Sequence, residues 1–253
     1  MSNFKITAHI PNMLTLSNLF CGCCAIVCIF NNAPIDAFWF LVAAFIADAL
    51  DGQAARYFGV SSPMGKELDS IADTVSFAAA PGMMLYVLLS KSFAMSTEWM
   101  KYGHVLQGVV LPALPAFLVS VFGGYRLAKY NVDTRQSDKF IGVPTPANTI
   151  FVMGLWMTYA TNPIIGGVPL GEAMMKPIFF FTLIPILAYW QVAEIPLMNF
   201  RFKGFGWAEN QFRYTFLLMA LGSILALGIV GISVAILLYV FISLLENSLT
   251  QSK

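Results

Sequence analysis

An all-α, polytopic transmembrane helical bundle is the fold class this sequence predicts, and three observations predict it. Of the 253 residues, 58% are hydrophobic and only 11% are charged, with a mean hydropathy of +0.73. Soluble domains carry roughly 25% charge. The apolar residues also fall in long, continuous stretches near the roughly 20 residues a helix needs to cross a bilayer, and too long for barrel strands. Finally, the basic residues crowd into alternate connections between those stretches. A backbone in lipid must satisfy its own hydrogen bonds, so the stretches read as helices. No soluble domain fits anywhere and no internal repeat is evident, so residues 1–253 read as one integral-membrane domain. A net charge of +1 without a basic run points away from a nucleic-acid partner.

Taken in order, the first span covers residues 14–30. The polar residues 1–11 precede it, and its length suits a span rather than a cleavable signal. It carries all four cysteines, Cys21, Cys23, Cys24 and Cys28. They read as small, soft residues within one helix, because no histidine is near to complete a metal site. The second and third spans, 36–57 and 64–89, are joined by Phe-Gly-Val-Ser-Ser-Pro, which turns the chain. The fourth covers 104–129, the fifth 145–161 and the sixth 176–198. The last apolar run, 214–245, exceeds one straight span, and Gly228 with Gly231 divides it, giving about eight in all.

Charge orients the chain. Arg56 and Lys66, then Arg126, Lys129, Arg135 and Lys139, then Arg201, Lys203 and Arg213 occupy alternate connections. With Lys5 and Lys253 they put eleven of the fourteen basic residues on one side, against Lys91, Lys101 and Lys176 on the other. The positive-inside rule then places both termini at the cytoplasmic face of a plasma membrane, of bacterial inner-membrane type. Trp99, Trp156 and Trp207 read as interfacial anchors. His9 and His104 have no evident partners for chemistry.

Four aspartates break the apolar pattern, in the frame Asp48-x2-Asp51-Gly52-x2-Ala55-Arg56-x8-Gly65-x3-Asp69-x3-Asp73. An ionised residue within a span costs about 2.5–3.5 kcal/mol on insertion scales and marks a functional site by default. Asp48, Asp51, Gly52, Ala55 and Arg56 share one helical face, and so do Gly65, Asp69 and Asp73. Two antiparallel helices would present four carboxylates to one pocket, where Gly52, Ala55 and Gly65 leave room for a bulky group. Hard oxygen donors in this number suit two divalent cations, Mg²⁺ or Mn²⁺. A pair of such ions can clamp the attacking and leaving oxygens of a phosphoryl displacement. Arg56 is placed to meet a phosphate. Proton or sodium transport is the rival reading, since intramembrane carboxylates often serve it. It leaves the small residues and Arg56 on the same faces unexplained.

The frame resembles the signature of the CDP-alcohol phosphatidyltransferases, with all eight defining positions filled at the family's gaps. Further segments resemble the phosphatidylserine synthase branch: residues 10–22, 65–77, 126–131, 140–147 and 195–203. Lys129 and Val143 depart mildly from the branch, which often has Arg and Leu there. The resemblance implies a six-helix catalytic core, a homodimer, and transfer of a phosphatidyl group from CDP-diacylglycerol to L-serine with release of CMP. Asp48, Asp51 and Asp69 would hold one metal ion, and Asp48, Asp69 and Asp73 the second. Asp73 would also be the general base on the incoming hydroxyl. Gly52, Ala55, Arg56, Ser62, Gly65, Asn12 and Thr15 would bind the CDP-lipid. Arg126, Lys129 and Lys139 are candidates for the carboxylate of serine, a role for which arginine is best suited. Glycerol phosphate, inositol phosphate or choline remain open as acceptors.

Overall fold

The computed structural model describes residues 9–60, 62–96, 105–106, 108–133, 140–199 and 206–251. Lys5, Trp99, Lys101, His104, Arg135, Lys139, Arg201, Lys203 and Lys253 lie outside the described residues. Helices dominate: α1 Ile10–Phe30, α2 Pro34–Phe58, α3 Pro63–Asp73, α4 Ala80–Met95, α5 Leu118–Val132, α6 Thr145–Thr161, the one-turn α7 Leu170–Ala173, α8 Pro177–Val192, α9 Trp207–Leu227 and α10 Val230–Gln251. A π-helical turn, Thr74–Ala79, joins α3 to α4, so residues 63–95 form one continuous rod.

Proline and glycine set the ends. Proline stands in the first turn of α1, α2, α3, α6 and α8, where its missing N–H costs nothing. Gly59, at φ +62°, closes α2 in the left-handed conformation, and the Val60 N–H donates to the Ala55 carbonyl at 3.0 Å. Ser62 then caps α3 by accepting from the Gly65 N–H at 3.0 Å. Gly228, with φ +59°, separates α9 from α10, as the sequence predicts for the long final run.

Two stretches differ from expectation. The fourth span does not start as a helix near residue 104. A hairpin, β1 Val105–Leu106 with β2 Val109–Val110, leads into a 3₁₀ segment, Leu111–Phe117, before α5. Pro112 and Pro115 account for this, because each removes a backbone donor. The sixth helix ends at Val192 instead of running to 198. Pro196–Leu197 instead forms β6, antiparallel to β3 Phe140–Ile141. A third small ribbon pairs β4 Ile164–Ile165 with β5 Val168–Pro169.

Four helical stretches of the described residues are long and apolar enough to cross a membrane: Ile10–Phe30, Pro63–Met95, Leu111–Val132 and Val230–Leu249. The chain is thus a helical polytopic membrane protein. Helix α2 is also long enough, at 25 residues, but carries Asp36, Asp48, Asp51 and Arg56. The main core gathers Met84, Leu85, Leu88 and Leu89 of α4 with Trp156 of α6 and Phe180 and Ile184 of α8. Trp156 is fully buried and so is a core residue instead of an interfacial anchor, whereas Trp207 is exposed. A second cluster packs Val143 and Leu197 against Phe216, Tyr239 and Ile242. The outward apolar side chains, such as Phe20, Trp39, Val121 and Leu225, suit a lipid surround.

Candidate active site

Three helix segments build the site: the start of α1, the end of α2 and all of α3. Oxygens of Asp48, Asp51 and Asp69 lie within 4.8 Å of one another. Asp73 stands one turn beyond Asp69, within hydrogen-bonding reach of Asp48. Spacing explains the gathering. Asp48 and Asp51 are i, i+3 on α2, Asp69 and Asp73 are i, i+4 on α3, and the Gly59–Ser62 turn folds one helix back against the other.

Helix α1 fixes two of the carboxylates. The Thr15 hydroxyl lies 2.6 Å from Asp51 Oδ2 and 3.0 Å from the Pro11 carbonyl. Asn18 Nδ2 donates to Asp73 Oδ1 at 3.2 Å, and Asn18 is fully buried. The Ser76 hydroxyl in the π turn donates to the Asn18 carbonyl at 3.1 Å, which ties α1 to the rod just beyond Asp73. Gly22 permits this approach: a Cβ there would lie 3.0 Å from Ser76 Cα and would strike its hydroxyl. Asn18 was not among the candidates from the sequence, although an amide alone on an apolar helix face was a usable signal.

A cavity of about 440 Å³ opens beside Asp51 and Asp69. Asn12, Thr15, Gly52, Ala55, Ser62 and Gly65 line it, all of them candidates from the sequence. Pro11, Gly59, Val60 and Lys66 also line it, and these were not. A Cβ on Gly65 would come within 3.2 Å of Asn12 Oδ1 and Ser62 Oγ, so glycine keeps this wall open. Arg56 is not among the described residues lining this cavity; it borders a neighbouring shallow groove with Leu14, Leu50, Gln53 and Tyr57, and its Nη1 lies 3.9 Å from where a Cβ on Gly52 would stand.

The serine-binding candidates separate. Arg126 is 6% exposed, donates to Thr145 Oγ1 at 3.3 Å, lies over the Tyr130 ring, and leaves its Nε without a partner. Lys129 instead pairs with Glu194 at 3.2 Å on an exposed face. Asn131 donates to Ser70 Oγ at 2.7 Å, which holds the end of α5 against α3.

Among the described residues no lysine or arginine forms an ion pair with the four aspartates. Carboxylate oxygens around one Mg²⁺ or Mn²⁺, at about 2.1 Å each, lie at most about 4.2 Å apart. The three-aspartate cluster approaches that spacing and consists wholly of hard oxygen donors. The residues therefore fit a divalent metal site.

Comparisons with known proteins agree with the geometry. A family model described as CDP-alcohol phosphatidyltransferase matches residues 8–195. A CDP-diacylglycerol–serine O-phosphatidyltransferase of Bacillus subtilis is 35% identical over 175 residues, covering 68% of this chain and 89% of the relative. One of the same name from Helicobacter pylori is 35% identical over 145 residues, 56% of this chain, and the match spans only 55% of the relative's length. Another, from Methanocaldococcus jannaschii, is 29% identical over 168 residues, covering 65% of this chain and 70% of the relative.

Proposed function

The chain belongs to the CDP-alcohol phosphatidyltransferase family, and on that premise we propose that it moves a phosphatidyl group from CDP-diacylglycerol to L-serine, giving phosphatidylserine and CMP. The observation that carries the reading is the convergence of Asp48, Asp51 and Asp69 beside a small-residue cavity, with Asp73 held by Asn18 next to them. The names of the relatives supply the donor and the acceptor.

Asp48, Asp51 and Asp69 would hold one divalent cation, and Asp48, Asp69 and Asp73 a second. Bound there, the ions would supply Lewis-acid polarisation of the donor diphosphate and charge stabilisation of the leaving phosphate. Gly52, Ala55 and Gly65 give the nucleotide close access to the backbone, while Asn12, Thr15 and Ser62 offer polar contacts. Asn18 fixes one oxygen of Asp73 and so aims the carboxylate. Asp73 takes the proton of the serine hydroxyl as its oxygen attacks the lipid-linked phosphorus. The new O–P bond forms as the bond to the CMP oxygen breaks, in one displacement without a covalent enzyme intermediate. Arg126, buried and with an unpartnered Nε, suits the serine carboxylate. Lys129 is less suited, because Glu194 already engages it. The charge asymmetry supports an orientation with the aspartates and both termini at the cytoplasmic face.

The deciding assay is CMP release from purified protein in detergent, with CDP-diacylglycerol, Mg²⁺ or Mn²⁺, and a panel of alcohols. Release that needs both L-serine and metal supports the proposal. Release with glycerol phosphate or inositol phosphate instead keeps the mechanism and removes the serine assignment. No release with any alcohol, alongside gradient-driven solute uptake in vesicles, would favour transport.

A further inference from the structure

We propose that Lys66 is the cation that meets the donor's diphosphate, a role the sequence frame alone assigns to Arg56. The inference rests on the transferase reading above and concerns how that site binds its nucleotide. Two observations carry it. Among the described residues lining the cavity beside Asp51 and Asp69, Lys66 is the one lysine or arginine, and Asn12, Ser62 and Gly65 share its wall. Arg56 lines a neighbouring groove instead, with Leu14, Leu50, Gln53 and Tyr57, although its Nη1 comes within 3.9 Å of where a Cβ on Gly52 would stand.

Charge supplies the reason a cation is needed. Two divalent ions would be balanced by the four aspartates alone. The diphosphate diester of a CDP-lipid brings two further negative charges, and neutral side chains and backbone N–H groups do not cancel them. Lys66 sits on α3 one turn before Ser70 and three residues before Asp69, so its long, flexible stem starts beside the carboxylates. It is exposed at the cavity rim, where an ammonium stays hydrated until phosphate arrives. Its backbone N–H bonds the Ser62 carbonyl at 3.2 Å, which fixes the start of that stem. The ligand chemistry is a nucleoside diphosphate carried on a lipid. Lys66 would be a binding residue that takes no part in the proton transfer.

The test is titration calorimetry of CDP, with Mn²⁺ present, on the full chain in detergent at low and raised salt. Lys66→Gln should weaken CDP binding about tenfold and flatten its salt dependence. Lys66→Arg should recover most of the loss, and Arg56→Gln should cost less than Lys66→Gln. Unchanged Mn²⁺ binding and melting temperature in Lys66→Gln would separate lost binding from lost folding. Wild-type protein that binds CDP, with Lys66→Gln equal to it or Arg56→Gln weaker than it, overturns this inference alone. Wild-type protein that binds no CDP overturns the transferase reading and this inference with it.

Discussion

Asp73 and Asn18 make the most direct test at the level of single residues. Asp73→Ala should cut CMP release by about 10²–10⁴-fold, the range typical of a lost general base. CDP binding measured by calorimetry should survive. Asn18→Ala frees one Asp73 oxygen without removing the base, so kcat should fall more modestly, by about tenfold, with little change in KM for the donor. Arg126→Gln should instead raise KM for L-serine and leave CDP binding intact; an unchanged KM would remove Arg126 from the acceptor site. The aspartate frame was legible because 3.6-residue periodicity converts i, i+3 and i+4 spacing directly into a shared face. Arg56 and Lys66 were not sorted by the same logic. Periodicity says which residues share a face, but not which side of a helix pair the cavity opens on. Asn18 was visible as a polar residue in an apolar run, yet only the packing of α1 against the rod shows that it reaches Asp73.

Element boundaries depended on local chemistry that hydropathy averages away. Residues 145–161 were placed to the residue, because Pro146 and the left-handed Asn162 mark both ends sharply. The fourth and sixth spans were drawn too long, since apolar prolines count as favourable in a hydropathy run while removing helix hydrogen bonds. The small β3–β6 pair was illegible from one sequence: its strands are two residues each, with 54 residues between them. Close packing at Gly142 explains its position. It sits at φ +75°, and a Cβ would fall 3.0 Å from the Ala193 carbonyl oxygen and closer still to that of Gln191. Gly142→Ala should therefore destabilise the protein by about 1–3 kcal/mol, seen as a lower melting temperature in detergent. Gly22→Ala carries a different expectation. Its Cβ would press on Ser76 and shift α1 from the rod, so activity should fall together with stability.

At the scale of the whole molecule, the metal reading makes a clean prediction. A chelator should abolish CMP release and Mn²⁺ should restore it, while a merely structural aspartate cluster would leave activity intact. Orientation is tested separately: a cysteine placed at Lys253 in a cysteine-free background should react with an impermeant reagent only after cells are opened, and one at Lys176 before. The class of fold was legible throughout, because composition alone forces helices in lipid, whereas the number of crossings was not. Helices α6 and α8, at 17 and 16 residues, rise only about 24–26 Å at 1.5 Å per residue, short of a hydrocarbon core of about 30 Å. The π turn at Thr74–Ala79 has a consequence for counting. A π turn holds one residue more than regular helix would need. Deleting a single residue there would let residues 63–95 run as unbroken α-helix, with better backbone geometry. It would also rotate Asp69 and Asp73 by about 100° relative to the buried face of α4. A more regular rod would then point its carboxylates away from α2, so in any sequence comparison this hexapeptide is where a gap cannot be tolerated.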